Sequence, residues 1–237
     1  MIAPPAFDQI AAKYDRVWTE SAIGRAQRDA VWQAVDRLFR AGDRVLDIGC
    51  GTGADAAHFA ARGVSVHAVD PSPGMIEVAK RRGGFTVEVR PAEEITGAFD
   101  GVISNFGALN CVADLSGVGG RVAGVVRPGG YLAICTIGRF CAWEMWFSWR
   151  RLRGVAPSSL GVTVRYWTVT QLRDAFPEFE LRQWIGIGVA VPPSYVRMPA
   201  WLVRWCAVLD RVLSHVPGLR AMADHRLLIF QRRAHAG

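Results

Sequence analysis

The segment "VLDIGCGTGADAAHFAARG", residues 45–63, constrains the fold more than any other part of the chain. A short apolar run ends at Gly49, Gly51 and Gly53, and an alanine-rich stretch begins at once. That spacing reads as a buried strand turning directly into a helix, with glycines where backbone N–H groups come close to a ligand. A strand of this kind needs cover on both faces, so it belongs inside a layered α/β sheet.

The flanking sequence keeps the same rhythm from about residue 21 to 137. "SAIGRAQRDAVWQAVDRLFR" has helical periodicity and stops before Gly42, ahead of the strand "RVLDIG". Helix 54–62, strand 64–70, helix 73–82, strand 85–90, strand 99–105 and helix 114–126 follow. The turn "RPGG" then leads into the strand "YLAICTI". Strands alternating with helices predict a parallel, doubly wound sheet. After Gly138 the pattern breaks into a tryptophan-rich stretch and a flexible "GVAPSSLGV". It resumes at "TVTQLRDAF", where Thr168 and Gln171 have capping-box spacing and Pro177 stops the helix. Strand 179–191, a helical block at 197–216 and a final strand "HRLLIFQRR" complete the reading.

With 237 residues, 51% of them hydrophobic, the chain can bury one large core without covalent staples. We expect a single domain over 1–237, with insertions at about 139–165 and 192–223 forming a substrate lid. The five cysteines are irregularly spaced and form no CxxC pair, so disulfides and a structural metal are not expected. The N-terminus lacks a signal-peptide layout and no apolar run is long enough to cross a bilayer. The expected location is therefore cytoplasmic, with contact to the inner face of the membrane left open.

Two carboxylates sharpen the glycine loop. Gly49, Gly51 and Ala54 on their own would also suit a dinucleotide. Asp47, however, precedes the first glycine by two residues, where it would repel a pyrophosphate and could receive an ammonium group. Asp70 ends the next strand, 21 residues after Gly49, placed to accept from ribose hydroxyls. A ligand with a ribose and an α-amino acid, but no phosphate, satisfies both acids.

At this point the residues resemble the class I S-adenosylmethionine-dependent methyltransferases. "VLDIGCGTG" is similar to that family's first motif, "VHAVDPSPGMIEVAK" to its second, "FDGVISNFGALNCV" to its fourth-strand motif and "VRPGGYLAI" to the loop into its fifth strand. "FDQIAAKYDRVW" and "YWTVTQLRDAF" resemble the ubiquinone/menaquinone-biosynthesis type, which methylates small molecules. The resemblance implies a Rossmann-like seven-stranded sheet with the last strand antiparallel and helices on both faces. It implies S-adenosyl-L-methionine as cofactor and a small, hydrophobic or aromatic acceptor. Carried over, it gives Asp47, Gly49, Cys50 and Gly51 to the amino acid part of the cofactor and Asp70 to the ribose. Pro71 and Met75 would flank the adenine, Ala92 and Glu93 would meet its edge, and Asn105, Phe106 and Tyr14 would close the cleft. Many relatives have Asp where this chain has Pro91, so either Glu93 takes over that contact or the contact is missing.

Asn110, Cys111 and Trp143 are the candidate acceptor-pocket residues. Glu144, set among tryptophans, is a candidate general base, with Tyr14 a second catalytic candidate and an arginine ion pair the alternative reading of Glu144. Three other functions compete: a nicotinamide oxidoreductase, a nucleic-acid methyltransferase and a relative that binds the cofactor without methylating. "SNFG" at 104–107 lacks the Pro-Pro-aromatic run that holds a flipped base, and there is no Pro-Cys dipeptide, so nucleic acid is not the expected partner.

Charge is unevenly spread. Residues 1–135 carry 14 basic against 15 acidic side chains, whereas residues 136–237 carry 14 against 6 and seven of the nine tryptophans. Within 197–216, Met198, Trp201, Leu202, Trp205, Val208, Leu209 and Val212 recur at helical steps beside Arg197, Arg204 and Arg211. This block is expected to act as a hydrophobic lid able to touch a membrane surface or a second copy in a homodimer.

Overall fold

The computed structural model describes residues 5–145, 152, 154–157 and 161–234. Nine strands and eight α-helices are found among them. Helix α1 (Pro5–Tyr14) runs on into a π turn at Asp15–Thr19, then come α2 (Ala22–Val35), β1 (Arg44–Ile48), α3 (Ala54–Ala61), β2 (Ser65–Asp70) and α4 (Pro73–Arg82). Next are β3 (Thr86–Val89), β4 (Phe99–Ser104), α5 (Leu115–Val125), β5 (Val126–Ile137), α6 (Ala142–Met145), β6 (Val155–Pro157) and β7 (Thr163–Arg165). The chain closes with α7 (Val169–Ala175), β8 (Phe179–Ile187), α8 (Ala200–Leu213) and β9 (His225–Arg232).

Seven strands form one sheet in the order β3-β2-β1-β4-β5-β9-β8. The β1, β2, β3, β4 and β5 pairings are parallel, and β9 runs antiparallel between β5 and β8. Two apolar layers cover the sheet. On one face α2, α3 and α4 deliver Val31, Val35, Ala56, Phe59 and Ile76 onto Val45, Ala68, Ile103 and Ala133. On the other, α5 and α7 deliver Val118, Val122, Leu172 and Ala175 onto Leu46, Val102, Leu132 and Phe230. Alternate residues of β1 thus point into opposite cores, and this is why "RVLDI" is apolar on both sides.

Local chemistry sets the boundaries. Ser21 caps α2 by accepting from the Gly24 N–H, Ser72 caps α4 with Pro73 in its first turn, and Thr168 and Gln171 form the expected capping box on α7. Three expectations change. Helix α2 ends at Val35, earlier than the periodicity suggests, with Asp36 as its C-cap. The "RPGG" turn is absorbed into β5, whose register with β4 shifts between Phe99 and Gly101 while Gly129 takes φ +79°. The 197–216 block shortens to Ala200–Leu213 because Pro199 takes the N-cap position. The small hairpin of β6 and β7, in a region read as flexible, is too short to announce itself by periodicity. No helix among the described residues is long and apolar enough to cross a membrane.

Candidate functional site

A cavity of about 430 Å³ opens at the carboxyl ends of β1, β2 and β4. Crevices at the carboxyl ends of parallel strands are where doubly wound sheets hold ligands. Its floor is the loop after β1. Gly49 has φ +70°, and a Cβ there would come within 2.2 Å of the Ala108 Cβ, so only glycine lets the loop close on the turn after β4. Gly51 has φ +53° with open space where a Cβ would project, and that space faces the cavity.

The loop's N–H groups are largely spent on the protein. Gly49 and Cys50 both donate to the Val69 carbonyl, at 2.8 and 3.0 Å. Asp70 accepts from the Gly51 N–H at 2.9 Å and the Ser72 N–H at 2.8 Å. A carboxylate therefore stands where a dinucleotide site would hold a phosphate. Burial pushes the Asp70 carboxyl up to about 6, opposed by those two hydrogen bonds.

Asp47 lies beneath the loop, 1% exposed, with Oδ2 lacking any hydrogen-bond partner. Burial, reinforced by the charge of Asp55, holds its carboxyl well above the usual range. A buried, unpartnered carboxylate oxygen below an open glycine cradle fits a cationic group bound above it, directly or through water. The donor set suits a ribose-bearing ammonium ligand and not a polyphosphate.

The third wall carries a charge that sequence reasoning missed. Arg28 on α2 is 5% exposed and lines the cavity. Its guanidinium bonds Asp55 Oδ2 and lies 4.8 Å from the ring centroids of both Trp18 and Phe106. Burial, the largest influence, opposes its charge, but the Asp55 charge and hydrogen bond together with Tyr14 and Asp47 hold its pKa above the ordinary value. Asp55 also accepts from Trp32 Nε1 at 2.7 Å and Asn105 Nδ2 at 3.2 Å. Arg28 could have been suspected because it lies on α2's inward stripe with Ile23, Gln27, Val31 and Val35. Phe106 is the non-glycine residue with positive φ among the described residues, at +48°. This strained position at the end of β4 aims the ring at Trp18 and His225, with centroids 4.6 and 5.3 Å away.

The N-terminal helix forms the roof. Phe7, Tyr14 and Trp18 face the cavity from it. Asp8 accepts from the Ser72 hydroxyl and from the Gly74 N–H at 2.9 Å. Asp15 accepts from the Thr52 hydroxyl at 2.7 Å and pairs with Arg82. Burial raises the Tyr14 phenol to about 12, so at neutral pH it is a hydrogen-bond donor and not a base.

Of the sequence candidates, Tyr14, Gly49, Cys50, Gly51, Asp70, Pro71, Met75, Ala92, Glu93, Asn105, Phe106 and Cys111 all line this cavity, and Pro91 does too. Asp47, Asn110, Trp143 and Glu144 do not line it. Asn110 is fully buried, with its amide donating to the Arg165 and Ile137 carbonyls and accepting from the Ile137 N–H, so it braces the wall from behind. Trp143 donates to the Val189 carbonyl, and Glu144 accepts from the Tyr195 hydroxyl at 2.9 Å. Instead Gly161, Val162, Thr163 and Arg165 close the end near Cys111. Trp146, Phe147 and Trp149, in the 139–165 insertion expected to form a substrate lid, lie outside the described residues. No described residue of 192–223 lines the cavity, so α8 contributes no lid to it.

The chain is similar to known proteins in sequence and in fold. Demethylmenaquinone methyltransferase of Clavibacter sepedonicus is 38% identical over 138 residues, 54% of this chain and 55% of that one. The Renibacterium salmoninarum enzyme of the same name is 30% identical over 196 residues, 76% of this chain and 80% of that one. The chain thus spans about half the length of the first relative and four fifths of the second. A solved Thermotoga maritima SAM-dependent methyltransferase, described as a possible histamine N-methyltransferase, superposes with TM-score 0.67 at 20% identity. That likeness covers 96% of this chain and 98% of the other and concerns the fold. Residues 23–185, from α2 into β8, match the model of the methyltransferase domain family, and the chain belongs to that family.

Proposed function

We propose that the chain is an S-adenosylmethionine-dependent methyltransferase acting on a hydrophobic or aromatic small molecule. The observation that carries the reading is Asp70 beside an open glycine cradle in one largely apolar cavity, with the unpartnered Asp47 Oδ2 buried behind that cradle and outside the cavity lining. In this reading Asp70 accepts from the ribose hydroxyls, and Pro71 and Met75 hold the adenine, whose edge meets Ala92 and Glu93. Asp47, Gly49, Cys50 and Gly51 surround the amino acid part. Phe106 and Tyr14 close over it, and Asn105 is held by Asp55. The bound cofactor supplies an electrophilic methyl group on a sulfonium.

The chain's own contribution is to bind, orient and exclude water. Tyr14 is raised to about 12 and Cys111, by burial, to about 11, so neither is ionised at neutral pH. Asp55 is occupied by Arg28, Trp32 and Asn105. The acceptor must then bring its own lone pair. Arg165, at the acceptor end of the cavity, supplies a positive charge that favours the ionised form of an acidic hydroxyl. A hydrophobic quinone-type acceptor, of the kind the relatives' names give, suits these walls. Asn105 argues against a nucleic-acid base: its Nδ2 donates to Asp55 and its Oδ1 accepts from the Phe106 N–H, leaving the amide turned inward.

The finer placement we infer is that of a peripheral protein at the inner face of a membrane, where such acceptors partition. Titration calorimetry with S-adenosylmethionine and its demethylated product, followed by mass spectrometry of phenols, quinols, amines and hydrophobic carboxylates incubated with the methyl donor, tests the reading. Binding of both ligands and a product heavier by one methylene are expected. Absence of cofactor binding overturns it.

A further inference from the structure

Helix α8 turns its more apolar side to solvent. At about 100° per residue, Trp201, Trp205, Val208, Leu209 and Val212 share one stripe about 100° wide. Their exposures are 65%, 66%, 49%, 57% and 68%. The opposite side is the one that packs, with Val203 against Ile23 and Val191 and with Cys206 and Ala207 beside it. This orientation is fixed by hydrogen bonds. Asp210, 7% exposed, accepts from the Ala190 N–H at 2.6 Å and the Val191 N–H at 3.1 Å. Turning the tryptophans inward would expose Val203 and strip those donors of their acceptor. Singly exposed apolar residues need no explanation, but a contiguous stripe with two tryptophans does.

Charge selects what covers it. Arg204 and Arg211 lie along one edge of the stripe and Arg197 just before the helix, all exposed. Across 192–223 the sole acidic residue is Asp210, and it is buried. Within this segment the exposed charged side chains are therefore guanidinium groups, and a carboxylate from elsewhere, Glu144, meets it at Tyr195. A second copy docked face to face would bring like charges together. An anionic bilayer complements them, takes the tryptophans at headgroup level, and lets the arginine stems lie along the apolar boundary. We propose that the outer face of α8 seats the protein on an anionic lipid surface, with the helix axis in the plane of the interface. The proposal rests on the peripheral placement inferred for a hydrophobic acceptor and names the surface and lipid class responsible.

Vesicle flotation tests it, with unilamellar phosphatidylcholine vesicles compared with vesicles containing about one third phosphatidylglycerol. The intact chain should bind the anionic vesicles at least about tenfold more tightly, and high salt should remove the difference. Trp201→Ala with Trp205→Ala, and separately Arg204→Glu with Arg211→Glu, should each weaken binding about tenfold or more. Cofactor binding in solution should stay unchanged, since none of these residues lines the cavity. Val212→Asp, also fully outward, serves as a third variant if the tryptophan pair does not fold. Equal flotation of wild type and variants, or no binding to either vesicle, overturns the proposal. A concentration-dependent dimer that the tryptophan variant dissolves, without flotation, assigns the face to a second copy instead. Loss of cofactor binding by the wild type refutes the methyltransferase reading and leaves the vesicle result standing.

Discussion

The Arg28 guanidinium and the Asp55 carboxylate meet in a buried ion pair, each side chain 7% exposed, between α2 and the first turn of α3. The pair joins the helix under the roof to the helix that leaves the glycine loop, so it fixes the distance across the cavity mouth. Arg28 Nε has no partner among the described residues, which leaves a donor beside the ligand space.

Breaking this pair from one side should be costly. Arg28→Met leaves Asp55 charged and buried, and we expect a loss of about 3 to 5 kcal/mol in urea unfolding. Arg28→Met with Asp55→Leu should lose less than the sum of the single changes. Additive losses would mean that the pair is not a coupled unit.

Asp47→Asn should stabilise the ligand-free protein while weakening the cofactor. Neutralising a buried carboxylate whose Oδ2 has no partner favours the folded state, and removing the acceptor for an ammonium group disfavours the complex. A rise in the apo melting temperature together with an affinity about tenfold or more lower by calorimetry is the expected pattern. A fall in both would show that Asp47 is a structural acceptor only.

Asp70 links pH to both properties. Its carboxyl is raised from 3.8 to about 6 by burial, so between those values the folded chain holds more protons than the unfolded one. Stability from this group therefore falls as pH rises through that window. Cofactor affinity should run the other way, strengthening as pH rises through about 6, because the ribose hydroxyls need an ionised acceptor. Asp70→Asn should bind about tenfold or more weaker and lose that pH dependence in a calorimetric series.

The roof should govern exchange. Asp15→Ala removes the Thr52 and Arg82 contacts that pin the segment after α1. Stopped-flow fluorescence of Trp18 should show faster cofactor release, with a smaller change in the association rate. An unchanged release rate would place the exit elsewhere.

Arg165→Gln tests the acceptor end. Turnover of acidic hydroxyl acceptors should fall and its pH profile should move to higher pH, while cofactor affinity stays unchanged. Equal effects on neutral acceptors would show a packing role.

Much of the sheet was legible because β1, β2, β4 and β5 are bounded by glycine or proline and several helices by a polar cap; Ser72 with Pro73, and Thr168 with Gln171, mark their helices within a residue. The cofactor side of the cavity was legible for the same local reason: its residues sit in short motifs at the ends of β1, β2 and β4. Arg28 was not, since a charged residue in an amphipathic helix reads as solvated, and its partner Asp55 is 27 residues away. Glu144 was conspicuous as an isolated acid, but Tyr195, which occupies it, lies 51 residues on. For α8 the periodicity gave the stripe without its direction. Which side faces inward depends on the complementary surface of Ile23 and Val191 and on the grip of Asp210.

The antiparallel β9 lies between β5 and β8, though it is made after both. During synthesis, β5 can pair with β4 while its other edge stays open, and β8 has no strand beside it until residues 225–232 emerge. The nascent chain must therefore hold a slot one strand wide between β5 and β8, with Leu132 and Ile134 still short of Leu228 and Phe230 on one face and Ile185 still short of Leu227 and Ile229 on the other. Closing that slot is a late, long-range step, and it completes the α5 and α7 face of the sheet only when the final strand slides in.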